Sequence, residues 1–140
     1  MTADSKKVFI PLPEPGDIVW CYFPQMPEKL GPKPRPALVI KVAEEDKAVM
    51  VVYGTSQKIN RIFPSEFILR TGDSGFRLSG LAHDTKFDMG TKLKLPYTSE
   101  WFELAPIKSG QPTTSPVMGT LHPVYLPALK KADRQVKKVA

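Results

Sequence analysis

The sequence predicts a mainly β fold with one C-terminal helix, and three features of the chain favour this class. Fifteen of the 140 residues are proline. Because proline lacks a backbone donor and fixes φ, such a chain sustains only short strands and helices. Short apolar runs rich in β-branched and aromatic residues alternate with polar turns, which is typical of strands. Near the C-terminus, apolar residues recur at helical spacing. At this length we expect one domain.

The N-terminal third predicts a lead-in, a strand and a long loop. Residues 1–15 are polar and then proline-rich, so we expect an extended lead-in. Residues 16–23 carry β-branched and aromatic side chains and predict the first strand. Residues 24–34 contain four prolines and predict a loop, of a length that is often functional in compact domains.

The clearest pattern is a hairpin. Two apolar runs, residues 37–42 (ALVIKV) and 48–53 (AVMVVY), are separated by a short acidic turn at 44–47. A tight polar turn between two such runs predicts antiparallel pairing. Because both runs are almost continuously apolar, we expect both strands to be central and buried on both faces.

Beyond the hairpin the pattern weakens. Residues 66–69 are apolar, and residues 70–79 are polar. Alternation in residues 85–95 favours either an edge strand pair or a strand followed by a turn. Residues 108–116 read as a linker, and residues 117–121 predict a short apolar segment before the helix.

The predicted helix covers residues 122–138, with an apolar stripe of Val124, Leu126, Leu129 and Val136. Pro127 predicts a kink or a helix start close to it. We expect the barrel domain to span residues 16–129 and residues 130–140 to form a basic tail. Residues 130–138 hold five basic side chains and one acid, which is most of the net charge of +6. These cations suit either a helix C-terminus in solvent or a contact with nucleic acid.

Composition also argues against a membrane protein and against a zinc-binding protein. No apolar run approaches the roughly 20 residues that span a bilayer, so no membrane partner is expected. Cys21 has no second cysteine to pair with, which favours a reducing, cytoplasmic compartment and a buried, inert thiol. With two histidines besides, the chain has too few ligands for a dedicated zinc site. We therefore expect no metal and no cofactor.

Two polar groups bracket the hairpin. Arg35 precedes its first strand, and Thr55, Ser56 and Gln57 follow its second. The start of one antiparallel strand lies beside the end of the next, so Arg35 and Thr55 should meet at one edge. A guanidinium offers a rigid fork to phosphate oxygens, and a hydroxyl can hold another oxygen. The pair is compatible with a phosphodiester site, but an arginine near a threonine is also common on ordinary surfaces.

The residues around this hairpin resemble a known family. The string GDIVWCYFPQMPEKLGPKPRPALVIKV, from Gly16 to Val42, is similar to the opening of the MazF/PemK-type toxins. The later VVYGTSQ resembles the family's strand that ends in Thr-Ser. The resemblance covers residues 16–57, is looser in 86–95 and 119–121, and is absent from the N-terminal tail and from residues 70–85.

This resemblance implies a small SH3-like β-barrel of the MazF/PemK/CcdB type, acting as a homodimer. Such toxins cut single-stranded RNA without a metal ion by attack of the 2′-OH, and a cognate antitoxin blocks the site. It implies that Arg35 activates and stabilises the scissile phosphate and that Thr55 holds it. Ser56 and Gln57 would support them. Lys29 and Lys33 would contact RNA from the loop.

Several alternatives remain open at this stage. The barrel could be non-catalytic and bind nucleic acid or a protein, as a CcdB-like poison or an adaptor would. His83 is a residue type common as a general base in ribonucleases, but adjacent residues such as Asp84 rarely orient each other, so we expect an exposed structural role. Asp88 reads as a turn former or as a secondary site residue, and the residues around it favour the former. Among the aromatic residues of the first strand, including Trp20, at most one is expected to face a ligand.

Overall fold

A six-stranded antiparallel sheet forms the body of the protein. The computed structural model describes residues 7–24, 33–107 and 110–139. The strands are β1 (Asp17–Cys21), β2 (Arg35–Ala43), β3 (Ala48–Thr55), β4 (Glu66–Leu69), β5 (Thr85–Pro96) and β6 (Val117–Thr120), and the helix is α1 (Leu126–Val139). The sheet order is β4-β5-β3-β2-β1-β6, and it curls into a half-barrel.

The predicted hairpin is confirmed as β2 and β3, with its turn at residues 44–47. Both strands are central. Successive side chains of a strand point to opposite faces, and here each face packs into its own core. Val51 belongs to one hydrophobic cluster and Val52 to the other, and both are fully buried. The first cluster also encloses Cys21, where burial raises the pKa of the thiol and keeps it protonated.

β5 is one strand, where the sequence left open an edge strand pair or a strand and turn. It pairs with β3 on one side and β4 on the other, with an irregular register near Asp88. The Asp88 carboxylate accepts hydrogen bonds from the Ser65 hydroxyl and the Gly90 amide, each at 2.9 Å. Asp88 therefore stabilises the irregular stretch of a continuous strand.

The helix begins at Leu126, after a 3-10 turn at Pro123–Tyr125, with Pro127 in its first turn. Proline is tolerated in the first turn because the amides there have no hydrogen-bond partner within the helix, so the missing N–H group costs nothing. Leu129, Ala132 and Val136 pack toward β4 and β5. Val124 and Leu126 are largely exposed, so their predicted place on the apolar stripe is wrong. The 3-10 turn changes the spacing, and Tyr125 is the buried residue there.

Residues 76–83, which we call the covering segment, lie against β6. Its first part forms a 3-10 turn at Arg77–Ser79 with Phe76 and Ser79 buried. The backbone approaches β6 so closely that a Cβ atom on Gly119 would lie 2.1 Å from the Ser79 carbonyl oxygen. The chain then reverses at Gly80, where φ is +73°.

Within the described residues, no helix is long and apolar enough to span a bilayer. In the same ranges, no cluster of three or more histidine, cysteine, aspartate or glutamate side chains is arranged to hold a metal ion.

The contact between Gly119 and Ser79 predicts a specific destabilisation. Gly119→Ala forces the covering segment away from β6, because the new methyl group meets backbone rather than a flexible side chain. We expect the free energy of unfolding to fall by about 1–3 kcal/mol, measured by urea denaturation. The matched control is Gly72→Ala, where a Cβ atom meets nothing within 4 Å. An equal loss of stability in both variants would contradict this explanation.

Candidate functional site

A cavity of about 650 Å³ opens where β2 begins and β3 ends. Its polar lining consists mainly of Lys33, Arg35, Thr55, Ser56 and His83. The rest is mostly apolar and comes from β1, β6, the covering segment and residues 105–107. This volume is in the range of pockets that hold small ligands.

The hairpin register brings Arg35 and Thr55 to this cavity together. Near the open end of the hairpin, Ala37 pairs with Tyr53. Continuing the same register by two residues sets Arg35 opposite Thr55, as the sequence predicted. Both side chains are half-buried and line the cavity.

The residue before Thr55 has to be a glycine. A Cβ atom on Gly54 would lie 2.8 Å from the Pro36 carbonyl oxygen and 2.6 Å from the ring of Phe87. At this point β3 packs closely against β2 on one side and β5 on the other, which fixes the position of the strand end. The backbone of Thr55 is therefore fixed relative to β2.

The turn after β3 orients the Thr55 side chain. The Thr55 hydroxyl oxygen accepts a hydrogen bond from the Gln57 amide at 3.0 Å, an arrangement typical of Ser/Thr turns. This bond uses an oxygen lone pair, so the hydroxyl hydrogen is left to donate. Ser56 is exposed and lines the cavity, whereas Gln57 is exposed and contributes through its backbone.

The cavity is positively charged. Lys33 and Arg35 line it, and none of the lining residues that the structure describes is a carboxylate. Within residues 7–24, 33–107 and 110–139, no acidic side chain forms an ion pair with Arg35. A cleft lined by one sign of charge attracts ligands of the other sign. Lys29, the other predicted RNA-binding lysine, lies outside the described residues.

Part of the cavity wall is apolar. Trp20 on β1 is half-buried and lines it, together with Leu81, Ile107 and Met118. Trp20 is the aromatic residue of β1 that faces the cavity. Charged groups against an apolar wall interact more strongly than in open water.

The covering segment supplies residues that sequence reasoning did not place at the site. Leu81, Ala82 and His83 line the cavity. His83 is exposed, as predicted, and Asp84 does not orient it. Asp84 instead accepts a hydrogen bond from the Thr71 amide at 2.7 Å and pairs with Arg70 at 3.8 Å. The sequence Gly-Leu-Ala-His at residues 80–83 does not by itself indicate a place at the cavity. The contact of Ser79 with Gly119 brings this run to the cavity.

A buried lysine holds the loop that follows Thr55. Lys86 on β5 is opposite Thr55 in the sheet and only 5% exposed. Its ammonium group donates to the Arg61 carbonyl at 2.8 Å and pairs with Glu66 at 3.1 Å. Glu66 in turn accepts from the Phe63 amide at 2.8 Å. The loop is thus tied to the sheet at two points.

Comparison with known protein families finds one match. A model of the PemK-like, MazF-like toxins of type II toxin–antitoxin systems matches residues 14–88. The bounds of that match extend across residues 70–85. No curated protein matches the sequence significantly.

Two solved structures from mycobacterial species are similar to this chain. One is an endoribonuclease in complex with its cognate antitoxin, with a TM-score of 0.56 and 15% identity, covering 91% of this chain and 97% of that chain. The other is an endoribonuclease with a TM-score of 0.55 and 14% identity, covering 93% and 95%. At such identity the likeness concerns the fold, and it confirms the predicted MazF/PemK-type architecture.

The Lys86–Glu66 pair predicts a large effect from one substitution. Lys86→Met leaves the Glu66 carboxylate, whose side chain is 10% exposed, without its cation, and we expect a loss of about 3–5 kcal/mol in the free energy of unfolding. The control is Lys94→Met, since Lys94 and Asp46 form a pair whose side chains are both more than half exposed. There we expect less than about 1 kcal/mol. Denaturant titration measures both, and equal losses would show that burial is not the cause.

Proposed function

We propose that this chain, which belongs to the PemK-like, MazF-like toxin family of type II toxin–antitoxin systems, cleaves single-stranded RNA in the cavity shared by Arg35 and Thr55. The observation that carries the proposal is the meeting of these two side chains in a positively charged cavity without a described carboxylate. A phosphodiester is the ligand that suits this charge, and the two similar solved structures are both endoribonucleases.

RNA supplies its own nucleophile, the 2′-OH, so the proposed reaction needs neither a metal ion nor an enzyme nucleophile. Attack on phosphorus increases the negative charge on the non-bridging oxygens. Arg35 stabilises that charge with its planar set of N–H donors, and Thr55 donates its hydroxyl to a second oxygen. The products are a 2′,3′-cyclic phosphate and a 5′-OH.

The neighbouring residues have supporting roles in this proposal. Ser56 contributes a further hydroxyl at the cavity, and the Gln57 amide orients Thr55. Lys33 contacts the phosphate backbone, and so does Lys29. Trp20 offers a ring on which a base can stack.

The proposed partners are a cognate antitoxin and a second copy of the chain. One similar structure is an endoribonuclease bound to its antitoxin, and we propose that an antitoxin covers the same cavity here. The family resemblance supports a homodimer that acts in the cytoplasm. Light scattering of the purified protein measures the dimer directly.

Removing the two phosphate-binding groups tests the enzyme proposal. In EDTA, we expect Arg35→Ala to lower the single-turnover rate on unstructured RNA by about a hundredfold or more. Thr55→Val should lower it by about tenfold or more, and Thr55→Ser should retain most of it. Labelling of the new 5′-OH ends measures the rate. The control Lys94→Ala removes a cation near Asp46, in the turn at the opposite end of the hairpin.

The two function hypotheses differ in the outcome. RNA that stays intact with folded wild-type protein would refute the enzyme proposal. Binding of that RNA without cleavage would favour the non-catalytic barrel, and a lack of binding would favour a protein target.

Lys33 predicts an effect on binding alone. It is exposed at the cavity mouth, so we expect Lys33→Ala to weaken RNA binding while the rate at saturating RNA stays within about twofold. The slope of log Kd against log salt should fall by about 0.7, the value for one phosphate contact on a single strand. Fluorescence anisotropy at several salt concentrations measures the slope, and an unchanged slope would remove Lys33 from the RNA interface.

A further inference from the structure

We infer that His83 is the general base that removes the proton from the attacking 2′-OH. This inference rests on the proposed ribonuclease function and adds a catalytic residue to it. His83 lines the cavity together with Arg35 and Thr55. It belongs to the covering segment, far along the chain from the hairpin that carries the other two.

The proposed reaction requires a proton acceptor. The 2′-O–H bond breaks and its proton moves to a ring nitrogen of His83, while the 2′-oxygen forms a bond to phosphorus. The bond from phosphorus to the 5′-oxygen breaks, and this leaving oxygen takes a proton from water. The imidazolium then releases its proton to solvent, so charge and atoms balance over the cycle.

Among the lining residues that the structure describes, one is suited to this task. The ionisable residues among its described lining are Lys33, Arg35 and His83. An ammonium and a guanidinium have donors only and no acceptor that could take a proton. A neutral imidazole can, since its two nitrogens are a donor and an acceptor.

The position of His83 fits the path of an RNA strand. A second, more open cavity of about 480 Å³ lies beside the first and is lined by residues that include Ile59, Thr71 and Asp84. Ser56, Ala82 and His83 line both cavities, and we call these three residues the ridge. A strand that places one nucleotide in each cavity carries its linking phosphodiester across the ridge, whose three residues share the lining of the first cavity with Arg35 and Thr55. His83 and Ser56 then face the reacting group.

The backbone of His83 is held on both sides, although its side chain is exposed. Before it, the buried Ser79 hydroxyl donates to the Phe76 carbonyl at 2.6 Å and accepts from the Leu81 amide at 3.1 Å. After it, the Thr85 hydroxyl donates to the His83 carbonyl at 2.8 Å. These hydrogen bonds fix the position of the His83 backbone, as is expected for a residue in a functional site.

The pH dependence follows from the role. A base has to be neutral, so the rate should rise with pH until the imidazole is deprotonated and then level off. The charged groups around His83 are Lys33 and Arg35 in the first cavity, and Asp84 with its partner Arg70 beside the second. The other cavity walls, from β1, β6 and residues 105–107, contribute no charged side chain to the described lining.

The test is the pH profile of kcat/KM on an unstructured RNA in EDTA for the wild type, His83→Asn, His83→Ala and His122→Asn. We expect both His83 variants to lose about 10²–10⁴-fold in rate near neutral pH and to lose the fall in rate on the acidic side. Added imidazole should restore part of the activity of His83→Ala. His122→Asn is the control, because it removes the other histidine. That residue caps the turn before α1 through Nδ1, which accepts from the Val124 amide at 2.9 Å, and asparagine caps equally well.

Each other result overturns the inference in a recognisable way. If His83→Asn keeps the wild-type rate and acidic limb while Arg35→Ala is inactive, the ribonuclease proposal stands and the base is another group. If the rate falls but the acidic limb persists and imidazole restores nothing, His83 has a structural role only. If the wild type does not cleave RNA, the proposed function fails, and the role of His83 fails with it.

Discussion

The backbone pairing of β2 with β3 determines where the chemistry of this protein can occur. From the turn, Ala43 pairs with Ala48, Val42 with Val49 and Lys41 with Met50, and after the irregularity at Ile40 the register shifts by one residue. Without that shift, Arg35 would face Ser56 instead of Thr55. Because each strand is buried on both faces, sliding by one residue would exchange the two cores. The register is therefore set by packing along the whole hairpin. The same packing fixes the relative positions of Arg35 and Thr55 at the cavity.

The second constraint is the contact of the covering segment with β6, which closes the cavity. Ser79 packs on Gly119. The loop before Ser79 is tied to the 3-10 turn that leads into the helix, because the Tyr125 hydroxyl donates to Asp73 at 2.9 Å. Burial, and then this bond, raise the pKa of Tyr125, so the phenol stays protonated and continues to donate. The wall of the cavity and the helix thus belong to one packed unit.

Local patterns in the sequence determine part of this arrangement, and that part was predictable. The hairpin, its burial on both faces and the meeting of Arg35 with Thr55 follow from two apolar runs and a turn. The cavity wall does not, because nothing near Leu81 or His83 indicates that Ser79 will pack on Gly119. Lys86 was equally hidden, since a lysine reads as a surface residue until Glu66 and the Arg61 carbonyl surround it. The site roles of Arg35, Thr55, Ser56, Gln57, Lys33 and Lys29, and the boundaries 16–129 and 130–140, stay predictions.

Thr55 is held in position by its surroundings to a greater extent than Lys33, and this difference is relevant to catalysis. Thr55 is held by the glycine that precedes it, by the Gln57 amide that follows it, and by the loop that Lys86 anchors. Its hydroxyl is therefore oriented when the protein folds, and little reorganisation remains when charge develops on a phosphate, which is how fixed donors lower a barrier. Lys33 is exposed, and within the part of the chain that the structure describes no ion pair holds its side chain. A cation of this kind attracts RNA at any phosphate and discriminates little between the ground state and the transition state. The division between binding and chemistry therefore follows from which side chains the fold immobilises.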